Sequence, residues 1–161
     1  MEVRGSRQLV AAGTVLGIGL GGFIDGILLH QVLRWHHMVS SLVKPTTLSG
    51  LQTNILWDGI FHMSMWVVTA VGLGLLWGWA RTTDRTWSTR VFIGLLLAGW
   101  GIFNVIDQLV FHLLIGAHHI REGVANYQLY DWSFFGFGVL LVAIGFSLAR
   151  EMRQPTAAPS P

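Results

Sequence analysis

The sequence contains the same histidine pattern twice, each time inside a long apolar stretch. Residues 25–37 read DGILLHQVLRWHH and residues 107–119 read DQLVFHLLIGAHH, so both copies follow D-x4-H-x5-H-H. Six of the seven histidines belong to these copies, and the seventh, His62, lies between them. A repeat of this kind within apolar segments predicts two similar halves that each present one set of histidines inside a membrane.

Four apolar stretches are each long enough to cross a bilayer, which needs about 20 helical residues. Charged residues make up only 11% of the chain, whereas a soluble domain normally carries roughly 25%. The predicted fold is therefore all-α: a single integral membrane domain, a four-helix bundle made of two pseudo-symmetric helical hairpins. We expect transmembrane helices at about residues 9–33, 55–79, 89–115 and 132–149. A disordered Pro/Ala/Ser-rich tail is expected at residues 154–161.

The charged residues also limit the classes of partner. The ten Lys and Arg residues are scattered and form no nucleic-acid-binding motif, which argues against nucleic acid as a partner. The expected partner is the lipid bilayer, and a homo-oligomer stays open. Because the chain has no cysteine, any metal ion must be bound by nitrogen, oxygen or thioether ligands.

The distribution of Lys and Arg predicts the orientation in the membrane. Seven of these residues lie on the side of the bundle that carries both termini, and three lie on the opposite side: Arg34, Lys44 and Arg121. Under the positive-inside rule, both termini are cytoplasmic. We therefore expect a multi-pass protein of the cell (plasma or inner) membrane with its histidines in the outer half of the bilayer.

Depth along the helices predicts one inner group of ligands. With a rise of about 1.5 Å per residue, His30, His62 and His112 fall at a similar depth on three different helices, and Phe135 closes the fourth side. Three imidazoles with one open position are typical of a catalytic or exchangeable metal site. An outer layer of further candidate ligands lies above this group: His36, His37, His118, His119 and Asp58.

Several other charged residues are expected to support these ligands without binding the ion. In an α-helix, Asp25 and His30 point about 140° apart, so direct pairing of this aspartate with its own histidine is not expected. A role behind the ligands, or a pairing of aspartates across the bundle axis, fits better. The supporting residues that we predict are Asp25, Asp107, Asp131, Arg34 and Arg121.

Buried ionisable residues in a membrane mark a functional site or a charge pair by default. The leading interpretation is a transition-metal site, with copper or zinc favoured and iron a further candidate. The protein would bind or relay this metal, or it would be a membrane metalloenzyme such as a copper or non-haem iron oxidoreductase. A b-type cytochrome is another interpretation, because four-helix bundles hold haem between paired histidines, here His30 and His112. A proton path or a structural network stays open too.

Three stretches carry a resemblance to a known family: GGFIDGILLHQVLRWHHM, NILWDGIFH and WGIFNVIDQLVFHLLIGAHHIR. The sequence resembles an uncharacterised family of small prokaryotic four-helix membrane proteins, a domain-of-unknown-function family, from about residue 13 to 149. The resemblance implies the helix count and the importance of all seven histidines, of Asp25, Asp58 and Asp107, and of Arg121, but it implies no activity. It also suggests a connection with respiratory oxidase assembly components, which would favour copper handling.

Overall fold

A computed structural model describes residues 2–82 and 88–150, with side chains described from Arg7 onward. Over these ranges the chain forms four long helices, joined by loops, and no strand. The predicted all-α fold with four helices is confirmed, and all four are long and apolar enough to cross a membrane. The predicted tail at 154–161 lies outside the described residues. The helices are α1 (Glu2–Ile24), α2 (Leu48–Ala80), α3 (Thr89–Asp107) and α4 (Tyr127–Ala149).

Helices α1 and α3 each change from α-helix to π-helix towards their C-terminal end. Helix α1 continues into a π-helical segment, π1 (Asp25–Val32), and α3 continues into a second one, π2 (Gln108–Leu114). The two segments occupy equivalent places in the repeat, since 82 positions separate His30 from His112. π-Helices are rare and are frequent at functional sites.

Helices α2 and α4 begin earlier than hydropathy alone predicts. The expected start of α2 was about residue 55, but the helix begins at Leu48, after the N-cap residue Thr47. The Thr47 hydroxyl accepts a hydrogen bond of 3.1 Å from the Gly50 backbone N–H, which satisfies one free donor of the first turn. A Cβ added at Gly50 would collide with the Lys44 carbonyl oxygen. Gly50 is therefore needed in this capped turn and does not break the helix.

The two histidine-bearing helices form the centre of the bundle. Helix α1 packs against α3, while α2 packs on α1 and α4 packs on α3. In the most apolar window of each helix, 50% of α1 and 44% of α3 is buried, against 11% of α2 and 22% of α4. The outer helices expose large apolar side chains such as Trp66, Trp77 and Leu140. Apolar faces of this kind suit a hydrocarbon environment, where helices satisfy their own backbone hydrogen bonds.

Glycine contacts show that the two halves are related by a pseudo-twofold axis. A Cβ added at Gly17 would lie 2.9 Å from the Gly99 Cα, and one added at Gly99 would lie 2.8 Å from the Gly17 Cα. The same added atoms would collide with the carbonyl oxygens of Leu96 and Thr14, respectively. Both pairs are equivalent under the repeat offset, so α1 and α3 cross on the axis. The small residues permit this close crossing, as is common between membrane helices.

Candidate metal centre

The π-helical segments bring each aspartate to its own histidine. Asp25 Oδ2 lies 3.1 Å from His30 Nε2, and Asp107 Oδ2 lies 3.1 Å from His112 Nε2. The expectation that Asp25 and His30 point apart is wrong, because it assumed α-helical geometry. In a π-helix the backbone bonds run from residue i to residue i+5, as from Leu33 N to Leu28 O (2.8 Å). Residues five apart therefore lie on one side of the segment.

A left-handed residue follows each π segment. Arg34 has φ of 51° and its equivalent in the second half, Gly116, has φ of 65°. This conformation is unfavourable for a residue with a Cβ, yet both halves use it at the same place. It turns the chain so that the following residues, His36 and His118, enter the interface between the halves, where both are buried.

Asp58 on α2 fixes one ring nitrogen of two histidines. His30 Nδ1 donates to Asp58 Oδ1 at 2.8 Å, and His37 Nδ1 donates to Asp58 Oδ2 at 2.6 Å. The backbone N–H of Met38 donates to Asp58 Oδ1 at 2.8 Å. Both carboxylate oxygens are therefore already occupied, and Asp58 is placed to orient histidines.

The second half repeats this arrangement around Asp131 on α4. His112 Nδ1 donates to Asp131 Oδ1 at 3.1 Å, and His119 Nδ1 donates to Asp131 Oδ2 at 2.7 Å. The backbone N–H of Ile120 donates to Asp131 Oδ1 at 2.9 Å. Asp131 therefore has the same place in the second half as Asp58 has in the first, and it accepts the same three kinds of hydrogen bond.

Each half also anchors a histidine of the other half. His36 Nδ1 donates to the Ile120 carbonyl oxygen, and His118 Nδ1 donates to the Met38 carbonyl oxygen, both at 2.9 Å. Because these bonds cross the pseudo-twofold axis, the two central histidines are positioned only when both halves are assembled.

The four anchored imidazoles lie side by side around the axis. Ring centroids are 4.4 Å apart for His30 and His36, and 4.7 Å apart for His112 and His118, with the rings nearly perpendicular in both pairs. His36 and His118 are stacked across the axis with centroids 4.6 Å apart and an interplanar angle of 4°. The Nε2 atoms of all four rings are buried and have no hydrogen-bond partner within the described part of the chain.

These buried nitrogen and oxygen atoms form two overlapping groups of candidate metal ligands. His30, His36 and His118 form the first, and Asp107, His112 and His118 form the second; within each group the ligand atoms lie within 4.8 Å of one another. Burial lowers the pKa of His36 well below its usual value, and the nearby His118 and His30 lower it further. The His36 imidazole is therefore neutral and able to bind a metal ion at neutral pH.

Not all of the predicted ligands come together. The inner group expected from helix depth combined His30, His62 and His112, but neither candidate group found among the described residues includes His62. His62 lies against Gly26 and beside the Phe61 ring instead. Helix rise gives the depth of a side chain in the bundle but not the side of the helix to which it points. The sequence alone therefore did not show that His62 lies outside both candidate groups.

The remaining predicted residues lie around the four imidazoles. His37 and His119 contact Asp58 and Asp131 and are partly exposed. Arg121 donates to the Tyr130 hydroxyl at 2.8 Å and lies over the Trp35 ring, while Arg34 is exposed.

The aromatic walls differ from the expected one. Phe61 stacks on His30 with centroids 5.6 Å apart, and Phe134 stacks on His112 at 6.0 Å. Phe135, the residue expected to close the site, contacts Trp132 instead.

Three features of this centre were not predicted from the sequence. The central imidazoles come from His36 and His118, which follow the helices and were placed in an outer layer. Asp107 is itself in a candidate ligand group. The backbone carbonyls that anchor His36 and His118 leave no signal in a sequence. The signal that was available is the D-x4-H spacing, which equals the i to i+5 step of a π-helix.

Comparisons with known proteins place the chain in a family without assigning it an activity. No curated protein and no solved structure matches it. The family described as "Predicted membrane protein (DUF2243)" matches residues 12–152, a range that includes α1 from Ala12 onward and all of α2, α3 and α4. The chain therefore belongs to this family of predicted membrane proteins of unknown function.

Proposed function

We propose that this protein binds a transition metal within the membrane, through the imidazoles around the pseudo-twofold axis. The observation that carries the proposal is the state of their nitrogens. In His30, His36, His112 and His118, Nδ1 donates to a carboxylate or backbone carbonyl oxygen, while Nε2 is buried and makes no hydrogen bond within the described part of the chain. The Nε2 atoms of His30 and His112 lie 3.1 Å from a carboxylate oxygen of Asp25 and Asp107, respectively. Metal-binding histidines are typically held in this way, with one nitrogen fixed by an oxygen and the other free for the ion.

The buried carboxylates also support a bound cation. Asp25, Asp58, Asp107 and Asp131 are all at most 4% exposed, and they make close contacts with histidines. Neutral imidazole brings no positive charge, and a buried charge without compensation is strongly unfavourable. The rival arrangement is a network of protonated imidazoles between the aspartates, which would contain no metal.

The donor set indicates the kind of ion. Imidazole nitrogens with carboxylate oxygens suit zinc, copper(II) and iron, and thiolate-dependent sites are excluded by the absence of cysteine. Met63 is exposed, Met65 packs on Gly22, and Met38 belongs to an apolar cluster with Phe61 and Phe103, so the thioethers add little support for copper(I). The role that we propose is metal handling in the cell membrane, with copper or zinc delivered to envelope or respiratory enzymes.

Two rival functions are separable from this one. Each candidate group supplies three ligands and leaves positions open, which would also suit a membrane metalloenzyme. A haem between His30 and His112 is disfavoured by the ring contacts, because the imidazoles of His36 and His118 stack between them. An absorption spectrum of the purified protein distinguishes haem, which has an intense Soret band, from a zinc site, which is colourless.

The test measures the metal content of full-length, detergent-purified protein by mass spectrometry. We expect stoichiometric metal in the wild type and none in the double variant His36→Asn/His118→Asn. The asparagine amide can still donate to the backbone carbonyl that held Nδ1, so the loop anchors survive while both Nε2 ligands are removed.

The matched control is His62→Asn, which changes a partly buried histidine outside both candidate groups and should keep wild-type metal. Wild-type protein without stoichiometric metal after reconstitution with zinc, copper or iron would contradict the proposal. So would a folded double variant, monodisperse by size exclusion, that keeps all of its metal.

A further inference from the structure

We infer that the centre holds two metal ions, one bound by each half of the protein. The first ion would be bound by Asp25, His30 and His36, and the second by Asp107, His112 and His118. This inference rests on the proposed metal binding and goes further, because it assigns the number of ions and divides the ligands between them.

The orientation of the rings separates the two central histidines. The lone pair of an imidazole nitrogen lies in the plane of its ring, so an ion bound by two rings lies in both planes. His36 and His118 are stacked in parallel planes, with an interplanar angle of 4°, and parallel stacked planes share no point. An ion between them cannot be bound well by both.

The two central rings within each half are not parallel but nearly perpendicular. His30 and His36 have an interplanar angle of 68°, and His112 and His118 have one of 71°. Planes at such angles intersect, so two neighbouring nitrogens of one half can be directed at a common ion. The cross-axis pairs His30–His118 and His36–His112 have similar angles of 70° and 73°, but their centroids are farther apart, at 5.9 and 6.4 Å. The shorter distances of 4.4 and 4.7 Å therefore favour grouping the histidines by repeat.

The carboxylate distances support the same division. Two ligands bound to one ion at about 2.1 Å, with an angle of 90° to 110° between them, are about 3.0–3.4 Å apart. Asp25 Oδ2 to His30 Nε2 and Asp107 Oδ2 to His112 Nε2 are both 3.1 Å. Neither Nε2 atom makes a hydrogen bond of good geometry within the described residues, so each 3.1 Å contact is an ion-pair distance that two ligands of one ion would also adopt.

The second half is already close to a complete three-ligand set. Asp107 Oδ2 lies 3.9 Å from His118 Nε2 as well. The ligand atoms of Asp107, His112 and His118 all lie within 4.8 Å of one another. His118 also belongs to the group with His30 and His36, but a single Nε2 lone pair binds one ion. Assigning His118 to the second ion leaves Asp25 to complete the first, as the repeat implies.

Charge balance points to the same number of ions. Four carboxylates are buried at the centre: Asp25, Asp58, Asp107 and Asp131. If the histidines are neutral, the centre carries four negative charges, and two divalent cations neutralise them. One divalent ion would leave two of these buried carboxylates without a compensating cation, which is strongly unfavourable.

Two histidines and one carboxylate on each ion leave several coordination positions open. This ligand set is found with iron(II), and similar sets of nitrogen and oxygen ligands bind zinc and manganese. The two sets meet at the axis, where the His36 and His118 ring centroids are 4.6 Å apart, so the two ions would be neighbours. The proposed centre is therefore a pair of exchangeable sites rather than one closed structural site.

The experiment is a titration of metal-free, full-length protein with Zn²⁺, followed by determination of bound zinc per chain. We expect two ions in the wild type and in the His62→Asn control. The variants Asp25→Asn/His30→Asn and Asp107→Asn/His112→Asn should each retain one ion, and the four substitutions together should retain none.

A second measurement on unmutated protein covers the case in which these variants do not fold. Protein loaded with Mn²⁺ should show an exchange-coupled electron paramagnetic resonance signal from two neighbouring ions. One zinc per chain, or the six-line spectrum of isolated manganese at saturation, would overturn the two-ion inference and leave metal binding intact. No binding of either ion, nor of copper or iron, would contradict both proposals.

Discussion

At the scale of single residues, Asp58 and Asp131 hold the candidate ligands without being free to bind an ion themselves. Each carboxylate accepts hydrogen bonds from two imidazoles and one backbone N–H. A carboxylate in this position fixes the tautomer and orientation of a metal-binding histidine and raises its basicity. The two residues should therefore affect metal affinity although neither is in a candidate ligand group.

We predict that Asp58→Asn lowers metal affinity by about 10–100-fold, the usual loss when a group behind a ligand is changed. The amide keeps the size of the side chain but removes the charge and one of the two acceptor oxygens. Affinity is measured by competition with a chromophoric chelator.

The matched control for this substitution is Glu122→Gln, which neutralises a partly buried carboxylate in the loop after π2. Glu122 accepts hydrogen bonds from the Ser40 and Ser41 hydroxyls and lies outside both candidate ligand groups. The Glu122→Gln variant should therefore keep the metal affinity of the wild type. Equal affinities for the wild type and the Asp58→Asn variant would show that Asp58 does not position a ligand.

The sequence was sufficient to identify His30 and His112 as members of a buried cluster, because they recur at the same place in two apolar segments. It was not sufficient to select their neighbours. His36 and His118 reach the centre through the left-handed turns at Arg34 and Gly116, and through hydrogen bonds to backbone carbonyls of the opposite half. These are tertiary features, and hydrophobic periodicity does not encode them.

At the scale of helices, the centre depends on the change from α-helix to π-helix at the end of α1 and α3. Hydropathy predicted the four helices, because apolar length is the dominant requirement of a membrane span. It could not predict π1 and π2, since both segments are as apolar as the helices that they extend. The first-half D-x4-H pair was consequently placed on two different faces.

The crossing of α1 and α3 gives a prediction about stability. We expect Gly99→Val to lower the stability by about 1–3 kcal/mol, the usual cost of overpacking, because any Cβ there meets the backbone of α1. The thermal unfolding temperature in detergent should fall. The control is Gly74→Ala on α2, where an added Cβ has no neighbour within 4 Å and the temperature should not fall. An unchanged temperature for Gly99→Val would contradict the close crossing.

The orientation of the helices is tested by labelling. Because the chain has no cysteine, single cysteines can be introduced at the exposed residues Ala125 and Thr82. The distribution of Lys and Arg predicts that Ala125→Cys reacts with a membrane-impermeant thiol reagent in intact cells and that Thr82→Cys reacts only after lysis. The opposite pattern would place the termini outside the cytoplasm.

At the scale of the whole molecule, assembly of the two halves and formation of the centre are one event. The halves meet where α1 crosses α3, and the loops after π1 and π2 bind each other through Ser41 N to Ala117 O (2.9 Å) and Glu122 N to Trp35 O (3.0 Å). Four buried aspartates lie beside this interface. A bound cation should therefore stabilise the whole bundle and not only the local loops.

Metal removal should accordingly destabilise the protein. A ligand that binds only the folded state at 100 times its dissociation constant adds about 2.7 kcal/mol per site. We expect a chelator to lower the thermal unfolding temperature of the wild type and to leave that of the His36→Asn/His118→Asn variant unchanged. A wild-type temperature that does not respond to removal of the ion would indicate that the aspartates are balanced by protonated histidines.

The most direct test of the central claim is X-ray absorption spectroscopy at the edge of the metal that the purified protein contains. Binding through the buried imidazoles predicts a shell of nitrogen and oxygen at about 2.0–2.2 Å, with the outer-shell scattering that imidazole rings produce. The His36→Asn/His118→Asn variant should carry no metal and give no such spectrum, whereas His62→Asn should give the wild-type spectrum. A spectrum without imidazole scattering, or one dominated by sulfur at about 2.3 Å, would contradict a metal centre built from these histidines.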